Sequence, residues 1–317
     1  MRKHLSPFIG PIVGITLLVI VAFVLTHKLR ALNLEEVKWE LMHIPPIRII
    51  AALIITAVYY FFITGYDILA LRIVGHPLHY RRIALSSFAG YAFGHNVGMS
   101  ALSGGSIRYR IYSSFGLSAK NIAKIVGYIS LSFWVGFLAM SSIVFLFFPM
   151  HLPPVLHLPF KTSQPIGLIA LVCLLIYIWI VTHALHGKKI GSFELPYLKL
   201  KDVLEQILFG AGDLLIGTSV VFLLLPQAQV AGFLAFFRIY ILAYVTGLSS
   251  QIPGGFGVFE GVFFLLLPRV SSKAALISAL IVYRIIFYIL PLLTAFLLLA
   301  THEVRLGRQR LRASRGQ

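Results

Sequence analysis

The sequence predicts an all-α membrane protein with about eight bilayer-crossing segments, two of them Gly-broken hairpins. Three observations lead there. Of 317 residues, 59% are hydrophobic and only 12% charged, with a mean hydropathy of +0.91, so no single soluble core can bury the apolar surface. Apolar runs recur at about 20 residues, the length that crosses a hydrocarbon layer at about 1.5 Å per residue. Two longer apolar stretches are interrupted by Gly-Gly, which makes each a candidate pair of half-helices.

Taken in order, the first apolar segment covers residues 8 to 26 behind Arg2 and Lys3. Thr26-His27-Lys28-Leu29 offers no small-residue cleavage site, so the segment reads as an uncleaved anchor. Residues 33 to 42 place Leu34, Val37 and Leu41 at helical spacing among Glu35, Glu36, Lys38 and Glu40; this is either an interfacial amphipathic helix or a loop helix packed on its neighbours. Further spans are predicted over 47–71, 122–148, 164–183, 203–225 and 274–300. The broken regions are 83–121 and 230–268, with breaks at Gly104-Gly105 and at Pro253-Gly254-Gly255 followed by Gly257. Residues 1–304 then form one integral membrane domain, and 305–317 form a basic tail. Cys173 lies inside an apolar run and is expected to pack there, with neither a disulfide nor a metal cluster.

The formal net charge of +17 accompanies no nucleic-acid motif and reads as topology. With a cytoplasmic N-terminus, most Lys and Arg fall on the cytoplasmic side, among them Arg81, Arg82, Lys188, Lys189 and the tail arginines. The opposite side holds fewer, such as Lys28, Lys38, Lys161 and Lys273. Both termini are therefore expected inside, where basic residues meet anionic phospholipid headgroups.

An internal repeat is suggested by Ser100, Gly104 and Gly105, which recur as Ser250, Gly254 and Gly255. Each region follows an apolar helix with one aspartate, Asp67 or Asp213, and the half-repeats would cover 47–148 and 203–300. Under the expected topology the two run in opposite directions, an inverted arrangement that puts a substrate site where the broken helices meet.

An unpaired charge in hydrocarbon costs about 2.5–3.5 kcal/mol or more, so each buried ionisable group needs a partner or a watery cavity. Glu260 must meet a cation, and Arg108, Arg110, Arg238 and Arg284 are the candidates. At the repeat offset Arg110 falls opposite Glu260, so the hairpins would end in opposite charges, either as a salt bridge or as a substrate or gating site. The Gly-rich turn with Arg108 and Arg110 reads either as a phosphate site or as a packing turn with cytoplasmic arginines. Asp67 and Asp213 could each neutralise an arginine or contact a cationic headgroup; Asp67, near a helix end, is expected to reach the interface, whereas Asp213 sits deeper. His95 and Asn96 line a polar path or simply pack. No metal-ligand spacing, nucleotide loop or hydrolase motif occurs, so no cofactor is expected and any work is driven by gradients or by the substrate's own distribution.

The stretch SALSGGSIRYRIYSSFGLSA, residues 100 to 119, and QIPGGFGVFEG, residues 251 to 261, resemble the membrane domain of the lysylphosphatidylglycerol synthetase and flippase family, the multiple peptide resistance factors. The resemblance covers nearly the whole chain. It implies translocation of a phospholipid, typically aminoacylated phosphatidylglycerol, between leaflets of the bacterial inner membrane, which lowers surface negative charge and resists cationic antimicrobial peptides. Members that make the lipid carry a soluble aminoacyl-transfer domain after the membrane part, and this chain stops at Gln317, so synthesis is not expected of it. Taken with the buried charges, the expected headgroup site is Arg108 and Arg110 for phosphate with Glu260 and Asp213 for a cationic group, flanked by Asn96, Arg238 and Arg284. A lipid-modifying enzyme using Glu260 or His95 as base remains an alternative. So does a non-transporting subunit, and the protein partner would be a second copy or a separately encoded synthetase.

Overall fold

A computed structural model describes residues 34–97, 100–152, 159–184, 189–190, 193–194, 198–225, 232–250, 252–267 and 272–315. The predicted first span, residues 8 to 26, lies outside the described residues, as does Lys188. The fold is all-α; among the described residues the only strands are Lys189–Ile190 and Phe193–Glu194, paired antiparallel. Among the described residues five helical stretches are long and apolar enough to cross a membrane: Pro46–Val74, Ala119–Phe147, Gln164–His183, Leu200–Leu224 and Lys273–Thr301. Each coincides with a span read from the sequence.

Helix α1 (Leu34–His43) is packed on a neighbour. Its Val37 is buried, the Ser278 hydroxyl donates to the Val37 carbonyl at 3.0 Å, and Ser272 donates to Glu40 at 3.1 Å. Helices α2 (Pro46–Phe62) and α3 (Thr64–Val74) form one span stepped at Ile63, where Thr64 Oγ1 donates back to the Phe61 carbonyl. Gly75, at φ 77°, closes α3 in the left-handed conformation that a side chain would resist.

The first hairpin is α4 (Tyr80–Val97) and α5 (Ser100–Ser114). The break expected at Gly104 and Gly105 is not there: both glycines sit inside α5. Gly104 serves contact instead. A Cβ on Gly104 would stand 2.6 Å from the Gly90 carbonyl oxygen of α4, so hydrogen in place of a side chain lets the two backbones touch. Helix α6 (Ala119–Phe147) starts at Ser118, whose hydroxyl accepts from Asn121 N, and α7 (Gln164–Trp179) packs along it. Cys173 of α7 faces outward and is exposed, contrary to the packing role expected of it. Helix α8 (Leu200–Leu224) crosses α6 where Gly136 and Gly210 meet; a Cβ on Gly136 would lie 2.2 Å from Gly210 Cα.

The second hairpin is α9 (Phe233–Ser249) and α10 (Val258–Leu266), joined through a 3₁₀ turn at Pro253–Gly255. Here the expected break is real, since Gly254, Gly255 and Gly257 hold φ of 60°, 62° and 80°. With nine residues α10 rises about 14 Å, less than half a hydrocarbon core, so it is too short to cross a membrane. The last span joins α11 (Lys273–Arg284), a π turn at Ile285–Ile289 and α12 (Leu290–Arg315), so the segment predicted as a basic tail continues that helix to Arg315. Pro291 has no N–H to give the Phe287 carbonyl four residues back, and the Tyr60 hydroxyl donates to it at 3.2 Å. Asn96 donates to the neighbouring Tyr288 carbonyl at 3.1 Å. The freed acceptors of the π turn are thereby satisfied by α2 and α4.

Candidate functional site

The two hairpins meet at a cavity of about 380 Å³. α4 and α5 supply one wall, α6 and α8 the next, and α9 with the Gly254–Gly255 turn the last. Its polar lining includes His95 of α4, Arg108 of α5 and Asp213 of α8, beside Ser130, Tyr91, Tyr244 and Tyr288. At its rim stand Leu102, Trp134 and Ile252, 65%, 41% and 42% exposed, so the opening faces outward between apolar side chains.

Arg108 is not free to hold a phosphate alone. Its Nε and Nη2 donate to Asp67 Oδ1 and Oδ2, each at 2.9 Å, and the Tyr112 hydroxyl donates to Oδ1 at 2.7 Å. The Tyr91 ring lies 4.6 Å from the guanidinium. Asp67, expected at the interface, is 0% exposed and Arg108 only 4%. Such a bidentate pair with a third donor is the arrangement that lets two opposite charges remain buried.

Glu260 does not face Arg110. Arg284 holds it instead, through Nε and Nη2 to Oε1 at 3.0 and 2.7 Å. Oε2 of Glu260 accepts from Gly257 N at 2.6 Å and so caps α10, while Arg284 Nη1 donates to the Gly254 carbonyl. Phe256, Phe259 and Tyr288 surround the guanidinium at 4.2, 5.3 and 4.7 Å. This ion pair ties the turn of the second hairpin to α11. Arg110 is exposed on α5, and the Gly104-Gly105 stretch, being helical, offers no cradle of free N–H groups for phosphate. Arg238, expected as a counter-ion, instead donates to the Phe148 and Pro149 carbonyls at 3.0 Å each, closing the end of α6. Asn96 is committed to the Ala92 and Tyr288 carbonyls and packs the helices together.

Asp213 differs from the other acids. Its oxygens accept from Tyr59 at 2.9 Å and Tyr66 at 3.1 Å, and no cation contacts it among the described residues. These tyrosines, with Tyr91 and Tyr112, were not singled out from the sequence, although Tyr59 and Tyr66 are seven apart and so share a helix face across the α2–α3 step. With Arg108 matched by Asp67 and Arg284 by Glu260, Asp213 leaves the site one negative charge in excess. His95 Nδ1 is buried without a hydrogen-bond partner beside it. Among the described residues no three His, Cys, Asp or Glu side chains gather as a metal site.

No protein-family model matches the chain. It is 36% identical over 305 residues to the Synechocystis sp. protein slr0712, covering 96% of this chain and 94% of that one. It is 30% identical over 300 residues to the Escherichia coli inner membrane protein YbhN, covering 94% and 91%. A phosphatidylglycerol lysyltransferase of Staphylococcus haemolyticus is 24% identical over 305 residues, which is 96% of this chain but 35% of that enzyme.

Proposed function

We propose that this chain, which belongs to the family of the inner membrane protein YbhN, carries a phospholipid between leaflets of a bacterial inner membrane, with both termini cytoplasmic. One observation carries the reading: a cavity with a charged interior opens outward past Leu102, Trp134 and Ile252. An amphiphile fits that division, with its headgroup among His95, Arg108 and Asp213 and its acyl chains leaving between apolar side chains. The surplus negative charge favours a headgroup carrying an amine, which Asp213 receives. A lipid phosphate is then drawn to the edge of the Arg108–Asp67 pair rather than to two free arginines. Aminoacylated phosphatidylglycerol combines both features, and the phosphatidylglycerol lysyltransferase similarity points the same way.

The Gly-rich turn supports movement. Gly254, Gly255 and Gly257 occupy conformations that other residues resist, and Arg284 latches the turn to Glu260, so the turn hinges where that latch lets go. A leaflet-resolved assay of lysylphosphatidylglycerol in vesicles containing the purified protein tests the reading. Wild type equilibrates the lipid faster than protein-free vesicles, and Asp213→Asn reduces that excess at least about tenfold, the loss of one charge-assisted contact. Movement no faster than in protein-free vesicles refutes it.

A further inference from the structure

Of the three carboxylates of this region, Asp67 and Glu260 are neutralised by arginine, and the buried Asp213 is not. In hydrocarbon a carboxylate held only by neutral donors is unfavourable unless a positive charge arrives from elsewhere. Its surroundings supply none. On α2 it faces Tyr59 and Tyr60, on α3 Tyr66, and on α9 Tyr240 and Tyr244. Tyr288 lies beyond the π turn, and α4 brings Tyr91 and His95. The nearest cation of the cavity wall, Arg108 of α5, is taken by Asp67. The wall on α6 offers Ser130, Phe133 and Trp134 and no charge.

We propose that Asp213 is a proton-binding site that exchanges its proton with the contents of the cavity. A hard metal cation takes about six or more oxygens, whereas the described oxygens here are the two of Asp213 and the hydroxyls of Tyr59 and Tyr66, whose O–H bonds already point at the carboxylate. A proton needs one. It adds to a carboxylate oxygen when the cavity holds no cation and leaves from the same oxygen when a headgroup ammonium enters, so the charge at this position stays balanced in both states. The inference deepens the lipid reading and rests on it for the identity of the ammonium. It makes lipid entry and proton release opposite halves of one exchange, which links the lipid's movement to a pH difference across the membrane.

Infrared difference spectroscopy of the full chain in phosphatidylglycerol vesicles, whose headgroups carry no cation, tests this. A carboxyl C=O band should appear on acidification and be missing in Asp213→Asn. It should persist in His95→Gln, which removes the other proton acceptor of the wall. Tyr59→Phe, which removes one donor, should move the band, an assignment that holds even if Asp213→Asn fails to fold. Adding lysylphosphatidylglycerol at fixed pH should abolish the band, and adding more phosphatidylglycerol, which lacks the amine, should not. A band that titrates but ignores the amine lipid leaves the proton site standing and refutes the headgroup assignment. No titrating band, or one that survives Asp213→Asn, overturns the proposal whatever the lipid assay gives.

Discussion

Replacing Asp67 by Asn removes a charge from the most enclosed ion pair of the protein while keeping the side chain's volume. The pair is 0% and 4% exposed, and three hydrogen bonds of 2.7–2.9 Å converge on the carboxylate. An amide offers one acceptor oxygen and turns an NH₂ toward the guanidinium, so one Arg108 bond is lost and Arg108 is left charged without a counter-ion. Removing one partner of a buried pair costs about 3–5 kcal/mol, and an uncompensated Arg at membrane depth costs about 2.5–3.5 kcal/mol or more on the lenient scale. The two scales agree on about 3 kcal/mol, a shift of more than a hundredfold in the unfolding equilibrium. Unfolding in mixed micelles titrated with sodium dodecyl sulfate reads it. Arg108→Met should cost a similar amount, and the double variant should cost several kcal/mol less than the sum, because no charge is then stranded. If the single losses add in the double variant, the pair is not the coupled unit described.

Gly136→Ala should destabilise by about 1–3 kcal/mol in the same assay, since its Cβ meets backbone of α8 at 2.2 Å, and Gly261→Ala, with nothing within 4 Å, should leave stability the same or slightly higher. Arg72 bridges Asp202 at 3.0 Å and Glu205 at 2.5 Å but is 48% exposed, so Arg72→Ala should cost under about 1 kcal/mol, a difference that shrinks further at high salt.

The five long helices were legible because apolar length alone defines a span, and the turn at Pro253 was legible because proline and successive glycines each disfavour a helix there. Gly104 and Gly105 carried the same composition and a different meaning. Within a membrane a glycine costs a helix little and allows close approach, and the Gly90 carbonyl that Gly104 meets is invisible along the chain. The need for charge partners was legible, but not the pairing. Asp67 finds Arg108 and Glu260 finds Arg284, 41 and 24 residues away, on helices that only the three-dimensional fold brings within reach. The tyrosines around Asp213 escaped notice because hydroxyls at helical spacing look like ordinary membrane aromatics until a carboxylate lies between them.

The π turn at Ile285–Ile289 amounts to one extra residue in an otherwise regular helix. A homologue that lost that residue would show a single gap in alignment here, and its last span would be rotated by about 100° beyond the gap. Pro291 would still leave one carbonyl without a backbone donor, but Tyr60 and Asn96 would no longer stand opposite the carbonyls that they now fill. These positions, distant along the chain, therefore serve one local feature of the last span, and a change in it touches all of them.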